Sequence, residues 1–319
     1  MMWPFDGDAP SLWLALYLLT FALHAVFVSY VLAGTTYALL CKDAIAERVR
    51  DRLPFMLGCG ITAGVAPLLF LQLLYQKRFY TANLLMGPRW GAVVPALIVG
   101  FYALYLAKAG VKERVRKLAL GLGAACFLFV AWSWTELDQL MKDEAAWKAM
   151  YAAGKRVYGA ATIYPRLLLW LGAMATLFAI VAAWWSTGGE RKRLALIGLL
   201  GRAVSVLAAL WLWRAGGTVD AAAHGWGYLL VAALAAEAAG WVWLLRSPDG
   251  GALSLVTGAG AAALLCATVV REAPRLALLD PPRPSAMEAS GFAVFAVTAV
   301  FGVVAIAWIW RVISRASMS

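Results

Sequence analysis

The groups in this 319-residue chain able to do chemistry are two histidines, four cysteines and a few charged residues set inside long apolar runs. His24 stands near the middle of the first of these runs, LWLALYLLTFALHAVFVSYVLAGTTYALL, with Phe27 and Val28 one turn on and Gly34, Thr35 and Thr36 beyond. An imidazole in hydrocarbon is costly unless it faces a partner or a cofactor. The ring is metal-capable, so this position is a functional-site hypothesis by default. A hydrogen bond to a neighbouring helix is the plainer alternative. His224 opens a later run in AAAHGWGYLL. Counted from Leu12, His24 lies about 12 residues or roughly 18 Å deep, whereas His224 lies within a turn of the boundary, so the two are badly placed to clamp one iron. His224 reads as an interfacial polar residue.

Arg202 follows Arg193 by nine residues, and Glu237 precedes Arg246 by nine. On adjacent antiparallel helices those equal offsets set the two charges at one depth, which predicts an ion pair. Such a pair is either a packing and register device or part of a proton path. A third cluster leaves the second apolar run through Gln72, Tyr75, Gln76, Lys77, Arg78, Tyr80 and Asn83. Hydroxyls, amides and cations at a lipid boundary can hydrogen-bond a quinone head group, although aromatic and basic belts are expected there in any case. Cys41, Cys59, Cys126 and Cys266 show no CxxC or CxxCH spacing. Unpaired structural thiols are expected, with no disulfide, zinc site or covalent c-type haem.

The elements that must position these groups follow from composition. A chain that is 63% hydrophobic and 14% charged holds more apolar surface than a soluble core can hide, so the surplus must face lipid. Runs long enough to span hydrocarbon fall at 11–38, 54–75, 91–109, 117–137, 165–186, 194–213, 223–245, 251–270 and 289–312. The expected fold is therefore all-α: a polytopic membrane helix bundle of about nine transmembrane helices in a single integral membrane domain. Within it, 1–137 and 165–271 form two four-helix groups, 138–164 an outer loop, 272–288 a second outer loop, and 289–319 the last helix and tail. In the first loop Trp147, Met150 and Tyr151 share one helical face, which predicts a short amphipathic helix on the membrane surface. The first run is too long for a signal-peptide core and is read as a retained membrane helix.

Lys and Arg, 28 against 17 Asp and Glu, sit almost wholly between the runs. That is topology charge and not a nucleic-acid footprint. With the N-terminus outside, 15 of the 28 fall on inner segments, 12 on outer ones and Arg202 within a helix; five of the outer 12 belong to one long loop that weighs less. The expected orientation is N-terminus outside, C-terminus inside. Gly60 and Gly64 are spaced as a close-packing face, and Pro67 frees a carbonyl in mid-span. Phosphate-binding glycine loops, hydrolytic triads and paired metal-ligand spacings are absent from the sequence.

The first run resembles the first membrane helix of subunit I of cytochrome bd quinol oxidases and of bd-like membrane subunits of respiratory complexes. In that family a histidine followed at three and four positions by Phe-Val, with a glycine about ten positions on, ligates a haem; here these are His24, Phe27, Val28 and Gly34. The segment Gly64, Val65, Ala66, with Gln72 downstream, is similar to the family's second helix. The match covers about the first 75 residues. The family's further haem ligands and third-helix glutamates have no counterparts here, so the resemblance implies a single-haem or haem-free relative and not a three-haem oxygen-reducing enzyme.

The resemblance further implies a subunit of a quinone-linked respiratory electron-transfer complex in the bacterial cytoplasmic membrane. His24 would hold one haem b, and Gln72, Tyr75 and Arg78 would line a quinone pocket. Other subunits would carry electrons onward, as a multihaem cytochrome or an iron-sulfur protein. Two other expectations stand beside it: a haem-free anchor or assembly subunit, and an ion-translocating transporter using Arg202 and Glu237.

Overall fold

The structure, a computed structural model, describes residues 11–217 and 225–279, together with positions 297, 300 and 304. The first long helix, α1, is Ser11–Leu40, and α2 is Ala44–Leu74. Two short helices follow, α3 (Gln76–Met86) and α4 (Pro88–Gly91), before α5 (Val93–Lys108) and α6 (Glu113–Leu140). The surface segment α7 (Glu144–Ala152) leads to α8 (Ile163–Ala183), α9 (Gly188–Arg214), α10 (Gly225–Arg246) and α11 (Gly250–Glu272), which runs into a 3-10 turn at Ala273–Leu278. Among the described residues there are eight helical stretches long and apolar enough to cross a membrane, with α4 and α5 counted as one span. The protein is therefore a polytopic helical membrane protein. The ninth run, 289–312, lies outside the described residues except for Val297, Val300 and Val304, which are helical.

α2, α6 and α9 outrun their hydropathy windows by several residues because a helix need not end where hydrocarbon does. α2 begins ten residues before the apolar run, at Ala44, where the Asp43 carboxylate accepts from the Ala46 N–H at 2.8 Å and caps the first turn. Asp249 caps α11 in the same way through Ala252 at 2.8 Å, and Thr187 with Glu190 forms a capping box on α9. The expected surface helix is present as α7, capped by Asp143, but its aromatic face divides. Met150 is buried, Trp147 donates to the Leu140 carbonyl at 2.7 Å, and Tyr151 is 84% exposed.

The described residues between 11 and 279 cluster as one compact unit. Consecutive helices pair as hairpins, α1 with α2, α5 with α6, α8 with α9 and α10 with α11. α1 is central: it also packs on α6, α8 and α11. Small residues let these helices close in, as expected where lipid offers no hydrophobic drive for association. A Cβ placed on Gly172 would lie 2.6 Å from the Gly201 carbonyl oxygen, and one on Gly198 2.5 Å from the Trp241 ring. Outward positions such as Leu19, Leu23, Phe55, Leu69, Val94 and Leu207 are exposed and apolar, the surface that lipid would cover.

At the end where α1 leaves and α2 begins, polar side chains tie the hairpins together. Tyr37 donates to Asp43 at 2.6 Å, Arg193 also pairs with Asp43, and Arg48 meets Glu190 at 2.6 Å. The Arg52 guanidinium stacks over Trp185 at 4.2 Å.

Candidate functional site

A cavity of about 960 Å³ runs among α1, α2, α5, α6, α8, α9, α10 and α11. That is the upper end of the range for small-molecule sites, roughly 300 to 1,000 Å³. Its walls are mainly apolar, and His24 and Arg202 are among its lining residues. His24 is held by the face of α2 that the glycine spacing marked out. The ring Nδ1 lies 2.9 Å from the Gly60 carbonyl oxygen. A carbonyl can only accept, so Nδ1 carries a proton, and the lone pair of the ring in its neutral form is on Nε2. No described group hydrogen-bonds Nε2. Gly64 provides the room: a Cβ there would sit 2.7 Å from His24 Cε1 and 2.9 Å from Nδ1. A histidine with one ring nitrogen anchored on backbone and the other without a hydrogen-bond partner among the described residues is able to ligate a metal. Among the described residues no group of three or more metal-binding side chains gathers anywhere, so His24 would act alone. His224 lies outside the described residues.

No protein-family model matches the chain, and no curated protein matches it. The site therefore stands on geometry.

Arg202 and Glu237 meet across α9 and α10, Nη2 to Oε2 at 2.8 Å, with Glu237 fully buried and also accepting from Trp241 Nε1 at 3.2 Å. Arg202 Nε is buried without a partner. Thus one end of the pair is packed and the other borders the cavity.

Gln72, Tyr75 and Arg78 do not line this cavity. Tyr75 is buried and donates to Glu272 at 2.6 Å, across 197 residues of sequence. Burial, with the Glu272 carboxylate beside it, pushes its phenol well above the ordinary value. Arg78 pairs with Glu144 at 2.7 Å, donates to the Met141 carbonyl at 3.3 Å and stacks over Trp147 at 5.8 Å. Gln72 accepts from Tyr80 at 3.2 Å on the exposed face. The three share a helix end but have separate partners.

The charged centre that the sequence reading did not single out joins the ends of α6, α8 and α11. Asp138 Oδ1 accepts from Arg271 at 2.6 Å and faces Arg275 at 3.4 Å, while Oδ2 accepts from Lys142 at 2.8 Å and Gln139 at 3.0 Å. Glu272 accepts from Arg275 at 3.1 Å as well as from Tyr75. Both carboxylates and both arginines are buried. Burial pushes the Lys142 ammonium down to about 7; Asp138 opposes that shift, and Arg275, Arg166 and Arg271 add to it. In sequence these residues are spread over 138 positions, and each stands at a helix end where topology charge is expected.

Proposed function

We propose that this protein is the membrane subunit of a quinone-linked electron-transfer complex and holds one haem b on His24. The observation that carries the reading is the imidazole: Nδ1–H is fixed on the Gly60 carbonyl, and Nε2 has no described partner beside a cavity of about 960 Å³. Gly64, without a Cβ, leaves the ring its position. These residues fit the demands of an axial ligand, and the apolar walls fit a porphyrin face. A haem bound there would supply one-electron redox chemistry. The chain's part is to fix the ring's tautomer, exclude water from the cavity and, through Arg202, offer a cation to an acidic substituent.

Quinone would approach at the Gln72 and Tyr80 face, where the side chains are open, with Tyr75 and Arg78 bracing that helix end through Glu272 and Glu144. Electrons would pass to or from a partner subunit, a multihaem cytochrome or an iron-sulfur protein, in the bacterial cytoplasmic membrane. The deciding experiment is a reduced-minus-oxidised absorption spectrum of the purified protein. A Soret difference lost in His24→Ala and retained in Arg202→Gln supports the proposal; purified protein without porphyrin refutes it.

One observation favours a second reading, ion translocation: Arg202 borders the cavity with its Nε unpaired while bonded to a buried acid. Ion flux in proteoliposomes that stops in Glu237→Gln, with no haem in the preparation, would select it.

A further inference from the structure

The His24 cavity has a second polar end, formed by Gln139, Lys142, Thr162, Arg166 and Arg271. Four cations gather there, Lys142, Arg166, Arg271 and Arg275, around two carboxylates, Asp138 and Glu272. The oxygens of those carboxylates are already engaged: Asp138 by Arg271, Arg275, Lys142 and Gln139, Glu272 by Tyr75 and Arg275. Arg166 is left over. Its guanidinium has no ion pair or hydrogen bond with any described residue, and its Nε is buried without a partner. Its charged neighbours are Asp138, Arg271 and Arg275.

Three permanent positive charges, Arg166, Arg271 and Arg275, with the titratable Lys142 beside them, outnumber two negative ones at the end of an apolar cavity, an expensive arrangement that an added negative charge would relieve. A guanidinium presents a planar fork matched to a carboxylate or phosphate. Beyond the fork the walls are Trp134, Leu167, Trp170, Leu264 and Val270, which offer dispersion contacts and no charge. Head and walls together specify an amphiphile. We infer that this end of the cavity binds the oxyanion head, carboxylate or phosphate, of a single-chain amphiphile whose apolar tail lies along the α6–α8–α11 walls. Arg166 is the main contact, and Lys142 and Arg271 complete the head-group shell. The inference does not depend on haem at His24.

The test uses the full-length protein in phosphatidylcholine nanodiscs, with scintillation-proximity binding of tritiated palmitate. Unlabelled palmitate and hexadecyl phosphate are expected to compete alike, and hexadecanol about tenfold or more weaker, the loss of one charge-assisted contact. Arg166→Gln should weaken palmitate by a similar factor while leaving hexadecanol unchanged; Arg166→Lys, which keeps the charge, should retain most of the difference. Size-exclusion profiles of the variants report folding, and a misfolded Arg166→Gln leaves the lysine variant and the acid-to-alcohol ratio to decide. Equal competition by acid and alcohol overturns the inference, as does an acid preference that survives Arg166→Gln. Inorganic phosphate competing as well as hexadecyl phosphate overturns it too, because the tail then contributes nothing. Decylubiquinol competing as well as palmitate overturns it in favour of a quinone. A long tail held at Arg166 reaches His24, so binding is also read in His24→Ala: palmitate bound by that variant supports the inference whatever the haem content of the wild type, and failure there overturns it without touching the haem proposal.

Discussion

Asp138→Asn isolates the electrostatics of the cluster at the ends of α6, α8 and α11. The carboxylate is 4% exposed and accepts from two cations at 2.6 and 2.8 Å, with a third at 3.4 Å. Each charge-assisted bond contributes about 1.5–3 kcal/mol, and leaving a buried charge without its partner costs about 3–5 kcal/mol. The amide still accepts through one oxygen, which places the expected loss near the lower figure. It also raises the local imbalance from four cations against two acids to four against one. Unfolding of the purified protein in detergent, followed by circular dichroism against a graded denaturant, measures the first effect. Glu113→Gln, in an exposed pair with Lys42, is the control and should leave stability nearly unchanged. The second effect is read as tighter palmitate binding. A double-mutant cycle separates charge from shape: with Arg271→Gln added, the combined loss should fall short of the sum of the single losses, because each removes the same pair. Strictly additive losses, or an Asp138→Asn protein as stable as the control, would refute the claim that this carboxylate anchors the cluster.

Three further outcomes follow from the geometry. In Gly64→Ala the new Cβ meets the His24 ring at 2.7 Å; a helix-propensity gain of about 1 kcal/mol is outweighed by overpacking of about 1–3 and a lost hydrogen bond of about 0.5–1.5, a net loss of about 0.5–3.5 kcal/mol on denaturant unfolding. Glu237→Gln leaves Arg202 an amide oxygen but no counter-charge and should cost near the lower end of about 3–5 kcal/mol in the same assay, much of it recovered by adding Arg202→Met, since an apolar side chain leaves no charge to satisfy. The Lys142 ammonium, with its pKa pushed down to about 7 from 10.5, releases its proton in the folded state before the unfolded chain does. Stability should therefore rise with pH between those values, palmitate affinity should fall as pH passes 7, and both trends should vanish in Lys142→Met.

The membrane helices were legible because a run of apolar residues longer than any soluble core requires has one physical meaning. So was the Arg202–Glu237 contact, since two charges at equal distances from a shared helix turn must lie at one depth. The Gly60 and Gly64 spacing marked a close-packing face, and that His24 is what packs there, with Gly64 leaving room for the ring, appears only in the structure. Helix lengths were not legible from hydropathy, which measures oil and not hydrogen bonding. Charged turns such as AERVRDR extend α2 well beyond the apolar window once Asp43 caps them. The Asp138 cluster was hidden for a different reason. Lys142, Arg166, Arg271 and Arg275 each stand at a helix end, where topology charge is expected, and only packing of α6, α8 and α11 turns four boundary cations into one centre. Tyr75 and Arg78 were visible as polar residues, but their partners Glu272 and Glu144 lie far along the chain, and sequence gives no reach across that distance.

α1 joins the charged end of the cavity to His24 through one stripe of its surface. Tyr17, Phe21, His24, Val28 and Val31 recur at four- and three-residue intervals and all line the cavity. Tyr17 lies beside the cluster, with its hydroxyl 3.4 Å from Arg271 and 3.5 Å from Arg275, and Phe21 lies under the Arg271 guanidinium at 4.5 Å. Seven residues separate Tyr17 from His24, about 10 Å along the helix axis. A head group held at Arg166 and a ring plane set against His24 therefore share one wall at a separation shorter than a long acyl chain. Short tails would leave both positions free to fill, whereas long ones would reach the imidazole. The spacing of that stripe makes the cavity a single physical compartment with a charge-bearing end and a ligating middle, so occupancy of one position is constrained by the size of what occupies the other.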